Sequence, residues 1–482
     1  MGTDKKQISA SELPAALGEY APLILENPAK DKEDKFLQLS ALLLNYRLCG
    51  SKPPRKETSL APAETEQKSY CNEGGLEVLK DILIEDNFHL LNFWLKHCTE
   101  KQVIVMPELV PVLLAKATEH KKLQYLVADC CGKRGEWLGK LNTAWNFSST
   151  QTGEELWQTG SFEQRKEILR QTRSIDPAKA REWVQQTWSQ EDAASKTALL
   201  EILADNSSST DIPFLESLDT EKGKKVKDMA NQLLKQIPGS AIIRLYEKLL
   251  SESVQLKKEK ALLGMMSKTT LHCKLPENMD DAVYKTGIDK LSNKKELSDD
   301  EYVISQVLEF VPPVFWENHF QLNPEQIIDL FQKDANGKKL IPALVRAITR
   351  FKDARWAIRF MEQSQVFYID IIPLLNDQQQ EQFSNKLFDR YPDDIIQYAT
   401  MRRSEWSIEL AIKILRHAAK NPYQYNRAFF SQHIHLLPVH MVGELERCTP
   451  PEEHFRSGWS NMSDYIMKLT SLKIQTIKAF TT

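Results

Sequence analysis

The chain has 482 residues, too many for one ordinary hydrophobic core, so more than one domain is expected. Its formal net charge of -3, with 27% charged and 41% hydrophobic residues, suits a globular protein and argues against a general nucleic-acid binder, which needs a basic excess to displace counterions. Glycine is scarce, at 17 residues, while good helix formers are abundant, which favours helices over glycine-dependent α/β turns.

The opening MGTDKKQISASEL holds no apolar core of signal-peptide length, and the apolar patches LSALLL and IDIIPLL are far too short to span a bilayer. Seven scattered cysteines, among them the adjacent Cys130 and Cys131, read as reduced thiols. A cytoplasmic protein is expected.

Residues 1–50 read as an N-terminal helical hairpin. Ser11 opens a first helix with Leu13, Leu17 and Tyr20, and KFLQLSALLLNYRL makes the second, with Phe36, Leu39, Leu42, Leu43 and Tyr46 on one face. Residues 51–72 are polar and rich in Pro, Ser, Thr and Glu, and read as a flexible linker or loop. Residues 73–253 read as a HEAT-like helical repeat domain. Ser161 with Gln164 predicts a capping box, and Asp176-Pro177 an N-cap followed by proline at the first helical position. Ala180, Trp183, Val184, Thr187 and Trp188 then form one apolar stripe. Further stripes end at Pro238-Gly239, after which Ser240 caps the next helix. Such helices bury their stripes by stacking on neighbours, the logic of an α-solenoid.

Residues 254–300 read as a lysine-rich connecting segment, and residues 301–482 as a second, C-terminal helical domain. Asn323-Pro324 and Ser404 look like N-cap signals. Trp356 and Trp406 fall at similar points in two predicted helices. No sustained alternation is found, so little β-structure is expected, VIV at 103–105 being too short to change this.

CCGKRGEWLGK, from Cys130, has the look of a phosphate loop, but the Gly135–Gly139 spacing is one residue short and Leu141 stands where a hydroxyl is needed. Two cysteines without a second pair do not make a zinc site. The stretch is read as a turn: Gly132 ends a helix, Gly135 reverses the chain, and Trp137 and Leu138 anchor the next helix. His433, His435 and His440, with Cys448 and His454 downstream, are the weak metal candidates, since histidine is a common ligand. Pro438 interrupts them, and no metal or other cofactor is expected. SDDEY at 298–302 resembles a carboxylate cluster, yet Ser298 with Glu301 explains it as a capping box. Lys222, Lys224, Lys225 and Lys227, and later Lys257, Lys258 and Lys260, read as solvated faces.

GKRGEWLGKLNTAW resembles the signature of an uncharacterised bacterial family with HEAT-like helices (domain-of-unknown-function family 5691), in which a G-x-R-G-x-W-L turn precedes N-x-x-W. The matching positions are Gly132, Arg134, Gly135, Trp137, Leu138, Asn142 and Trp145. The following block is similar as well, through Trp157, Gly160, Arg165, Leu169, Arg173, Asp176, Pro177, Ala180 and Arg181, and DIPFLE and IPGSA match two later helix borders. The clear likeness covers about residues 125–250. The resemblance implies HEAT-like helices, no assigned activity, and genes often placed beside MoxR-type AAA+ ATPases, von Willebrand A-domain proteins and SWIM zinc-finger proteins.

The expectation is therefore an all-α protein, a HEAT/armadillo-like α-α superhelix with a second helical domain, acting as a non-enzymatic protein-binding adaptor or scaffold. Gly132, Arg134, Gly135, Trp137, Asn142, Trp145, Asp176, Pro177 and Arg181 are its structural signature, with no catalytic residue. The resemblance points to an AAA+ ATPase or von Willebrand A-domain protein as partner. A HEAT-like nucleic-acid binder or base-repair enzyme is the alternative.

Overall fold

In a computed structural model, residues 9, 12–50, 60–147, 153–260, 267–402 and 404–481 are described. They are helical apart from one β-hairpin, an isolated bridge and connecting turns, so the fold is all-α and of the helical-repeat kind. The chain divides into two units, Met1–Ala63 and Glu64–Thr482.

The first unit contains α1 (Ala21–Leu25) and α2 (Lys32–Gly50), preceded by a 3-10 turn over Ala15–Leu17. The single helix expected from Ser11 is not formed over the described residues; Ser11 itself lies outside them. Pro14, Gly18 and Pro22 explain the interruption, because proline lacks the N–H that a helix interior needs and glycine ends the turn. The second helix forms as expected. Of its predicted face, Leu39 is buried, Leu42, Leu43 and Tyr46 are half-buried and Phe36 is exposed. Leu37 (63% exposed), Leu44 (60%) and Leu48 (75%) lie on another face, with Ala41 between them.

The second unit begins with an extended stretch. Cys71 N–H donates to the Ile104 carbonyl and Ile104 N–H to that of Ser69, so VIV contributes one parallel bridge, Tyr70 to Ile104. This part of the segment read as a linker has no regular structure but is hydrogen-bonded in place. Then come α3 (Glu73–Glu85), α4 (Phe88–Glu100), α5 (Val110–Glu119) and α6 (Gln124–Leu141). Next are α7 (Gly153–Thr159), α8 (Phe162–Ile175), α9 (Pro177–Thr187), α10 (Ala193–Leu203), α11 (Ile212–Ser217), α12 (Lys224–Leu234) and α13 (Ala241–Ser253). The predicted caps are present. Ser161 and Gln164 form a capping box, and Asp176 and Ser240 accept from the backbone N–H groups of Lys179 and Ile243.

A hairpin follows inside the lysine-rich segment, which the sequence did not announce. Strand β1 (Val254–Lys260) pairs antiparallel with β2 (Ser267–Cys273), from Val254 opposite Cys273 to Lys260 opposite Ser267. Among the residues of the hairpin whose burial is described, only Val254 and Leu271 are buried, too few to give a visible alternation. The Asp334 carboxylate accepts from Leu271 N–H, and Asn336 donates to the Leu271 carbonyl, so a helix start satisfies the outer edge of β2.

The remaining helices are α14 (Ala282–Lys285), α15 (Asp299–Leu308), α16 (Val314–Phe320), α17 (Pro324–Lys333), α18 (Ala335–Arg350), α19 (Ala354–Gln363), α20 (Asp377–Leu387), α21 (Pro392–Met401), α22 (Ile408–Lys420), α23 (Arg427–His433) and α24 (Glu453–Thr481). Ser298 with Glu301 and Asn323 with Gln326 make capping boxes, so SDDEY is a helix start. Ser404 is not a cap. Ser407 holds that role for α22, which leaves Trp406 before its helix while Trp356 lies inside α19; the two tryptophans are not equivalent.

Packing runs along the sequence: α7 on α8, α8 on α9 and α10, α10 and α11 on α12, α12 on α13, α13 on α15, α15 on α18, and α17 on α18 and α19. Beyond these, α20 and α21 pack on α22, and α22 on α24. The long α24 then packs on α3 and α4, so the two ends of the second unit meet. Leu90, Leu91, Trp94 and Leu95 of α4 and Ile466, Leu469 and Phe480 of α24 are buried in that core.

Candidate functional site

The phosphate-loop-like stretch does hold an anion, and the anion is the protein's own. At Gly132 the chain leaves helical geometry (φ 56°, ψ -153°) and re-enters it at once, so α6 is two short helices joined at a corner. The Glu66 carboxylate sits at the start of the second of them and accepts from the N–H groups of Lys133 and Arg134, each at 2.9 Å. A carboxylate there satisfies free N–H groups and the positive end of the helix dipole. A Cβ on Gly132 would lie 2.4 Å from Glu66 Oε2. Gly135 does not reverse the chain as expected; it lies within the second helix, where a Cβ would be 2.5 Å from that of Cys131. Trp137, Leu138 and Arg134 are half-buried along this helix. Asn142 accepts from Ala144 N–H to cap the 3-10 turn that carries the half-buried Trp145.

The second signature block is a buried ionic knot. Arg173 of α8 has no exposed surface; it donates to the carbonyls of Pro177, Leu203, Asp205 and Asn206, and to the Asp211 carboxylate at 2.7 Å. Arg181 of α9 donates to the same carboxylate at 2.8 Å and to Thr210 Oγ1. Burial alone would raise the Asp211 pKa, but the two guanidiniums and the Ser208 N–H outweigh it and hold the carboxyl below its ordinary range. The knot ties α8, α9 and the α10–α11 turn. Beside it Trp157 and Trp183 stack at 5.4 Å, with the Arg165 guanidinium 4.4 Å over Trp157. In both blocks these side chains join neighbouring elements.

The histidines are arranged differently from the expectation. His440 is exposed, whereas His433 and His435 are half-buried and meet His89 of α4, far off in sequence. The His89 and His435 rings lie parallel, 5° apart in plane and 4.3 Å between centroids. Face-to-face rings turn their nitrogens outward rather than toward one ion. Among the described residues no group of three or more His, Cys, Asp or Glu side chains is placed to hold a metal ion. Cys448 is buried and His454 exposed. Cys130 Sγ is 3.4 Å from Thr99 Oγ1, and burial pushes the Cys131 thiol up.

A groove of about 850 Å³, which the sequence did not suggest, lies between the end of α18 and α20–α21, lined by Lys352, Asp370, Gln380, Tyr398, Met401 and Arg402. Two of its polar side chains are engaged: Tyr398 donates to Gln380, and Arg402 pairs with Glu381 at 2.8 Å. Burial pushes the Tyr398 hydroxyl up to about 12, away from use as a base at neutral pH.

The profile of the Family of unknown function (DUF5691) matches residues 1–479. The chain belongs to this family. The match extends well beyond residues 125–250, where the likeness is clear to the eye, and takes in the first unit. No curated protein and no solved structure matches the DUF5691 chain significantly. No described helix is long and apolar enough to cross a membrane.

Proposed function

We propose that this DUF5691 protein is a non-enzymatic adaptor that works by binding other proteins. The observation that carries the reading is the leucine stripe of α2. Leu37, Ala41, Leu44 and Leu48 stand 4, 3 and 4 residues apart, the spacing of one helix-packing seam. The three leucines are mostly exposed. The eleven steps from Leu37 to Leu48 make a seam of roughly 16 Å at 1.5 Å per step. Exposed leucines at seam spacing fit the groove of a helical partner. The stacked helices of the second unit add broad surfaces of the kind solenoids offer to partners.

The family resemblance suggests the partner class, a MoxR-type AAA+ ATPase or a von Willebrand A-domain protein in the cytoplasm. That class rests on association and not on a contact. The test is affinity purification of the tagged chain from its own cells, compared with the L44D/L48D variant. A partner recovered with the parent and lost from a variant of unchanged helicity supports the reading. A chain recovered alone, or the same partner with both forms, removes it. The nucleic-acid alternative has Lys222, Lys224 and Lys225 in its favour, exposed around the start of α12. Absence of duplex binding at low salt would dispose of it.

A further inference from the structure

We propose that the meeting of the two ends of the second unit is an acid-sensitive clasp, in which His89, His433 and His435 hold α4 against the 431–437 segment only while they are uncharged. Asn87, at the start of α4, donates to the carbonyl and hydroxyl of Ser431, fixing α4 to the C-terminal part of the chain. His89 then lies flat on His435, and His433 packs on Phe429 at 4.8 Å. The Nδ1 atoms of His433 and His435 are buried with no hydrogen-bond partner, so no carboxylate stands at those nitrogens to welcome a proton.

The charged surroundings are mostly basic. From α24, the fully buried Lys473 donates to the carbonyls of His435 and Leu437. Its counter-charge, Glu405 at 2.5 Å, is engaged with it. Lys96 of α4 acts on His435, and Lys122, ahead of α6, acts on His89. His120 packs on Phe88 at 5.3 Å. Two parallel imidazoles that both take a proton put like charges about 4 Å apart with little water between them, which is unfavourable.

Burial, followed by the charges of His89, His433, Lys473 and Lys96, lowers the His435 pKa to about 4. Burial likewise lowers His433 and His89. A released histidine titrates near its ordinary value, so the open form binds more protons than the closed one. The closed form is therefore undisturbed above about pH 6.5 and loses ground as the pH falls from there toward about 4. His435 alone raises the open population about 30-fold between pH 7.5 and pH 5. The other two histidines add to this.

Hydrogen–deuterium exchange across that pH range, corrected for the intrinsic pH dependence of exchange, tests the clasp on the full chain. The expected result is a rise of about 30-fold or more in local opening of α4, residues 427–437 and α24, with α8–α13 unchanged. H89F/H435F keeps a stacked pair that takes no proton, and should remove most of that rise. If the double variant is misfolded at pH 7.5, H435Q alone replaces it, and a smaller rise than in the parent is expected. Protection that persists to pH 5 in the parent overturns the proposal. So does a variant that opens as the parent does, or loss of protection in all helices together.

Discussion

Arg173 is the residue on which most depends per atom. Its guanidinium fills its donors with four carbonyls and one carboxylate, all within 38 residues along the chain. A buried ion pair contributes little over a well-packed apolar pair, but removing one member strands the other. Arg173→Met is therefore expected to cost about 3–5 kcal/mol, read from the urea midpoint. A midpoint unchanged within error would show that the knot is dispensable. Asp211 sets the pH dependence of the same site. Its folded pKa is depressed, so its contribution is full above the ordinary carboxylate pKa and is lost as acid titrates the folded carboxyl below that range. The acid loss of the knot thus falls at lower pH than the opening of the histidine clasp.

Among elements, α6 is the instructive one. Its first half ends at Cys131, and the next residue takes a backbone conformation that side chains rarely adopt. Gly132→Ala should cost about 1–3 kcal/mol through backbone strain, and displacing Glu66 adds the loss of a helix cap. Glu66→Ala alone should cost about 1 kcal/mol. Equal losses from the two substitutions would argue that strain at Gly132 is negligible. The sequence made the break legible, because a glycine after an apolar helical run has a local meaning. It could not show what fills the break, since Glu66 arrives from a polar stretch whose composition reads as unordered. The same division holds elsewhere. Capping boxes at Ser161 and Ser298 close within three residues and were readable, as was the N-cap at Asn323; Ser404 looks like a cap in sequence, but the role falls to Ser407 because neighbouring serines look alike until α22 has a fixed start. The hairpin was hidden because Val254 and Leu271, the buried positions among its described residues, lie on separate strands. His89 was invisible as a neighbour of His435 because only the tertiary fold brings α4 there.

At the scale of the whole second unit, the ends meet through α24. Asn72, the cap of α3, also donates to the Ala479 carbonyl, and Trp94 packs edge-on to Phe480 at 5.3 Å. Deleting residues 453–482 should therefore uncover α3 and α4 more than α8–α13. Limited proteolysis is expected to cut first within residues 73–100, and a cutting pattern identical to the parent's would refute this dependence. All-α architecture was legible from periodicity, since each stripe reports its own burial. The closure was not, because it joins helices that lie at opposite ends of the unit.

That closure also orders events during synthesis. About 350 residues separate the end of α4 from the start of α24. At the usual pace of translation, the ribosome takes roughly 20–70 s to cover that distance. Throughout this interval Trp94, Leu90 and Leu91 lack the helix that covers them. The nascent chain thus carries an adhesive apolar surface on α4 until α24 has been made and can fold back over it.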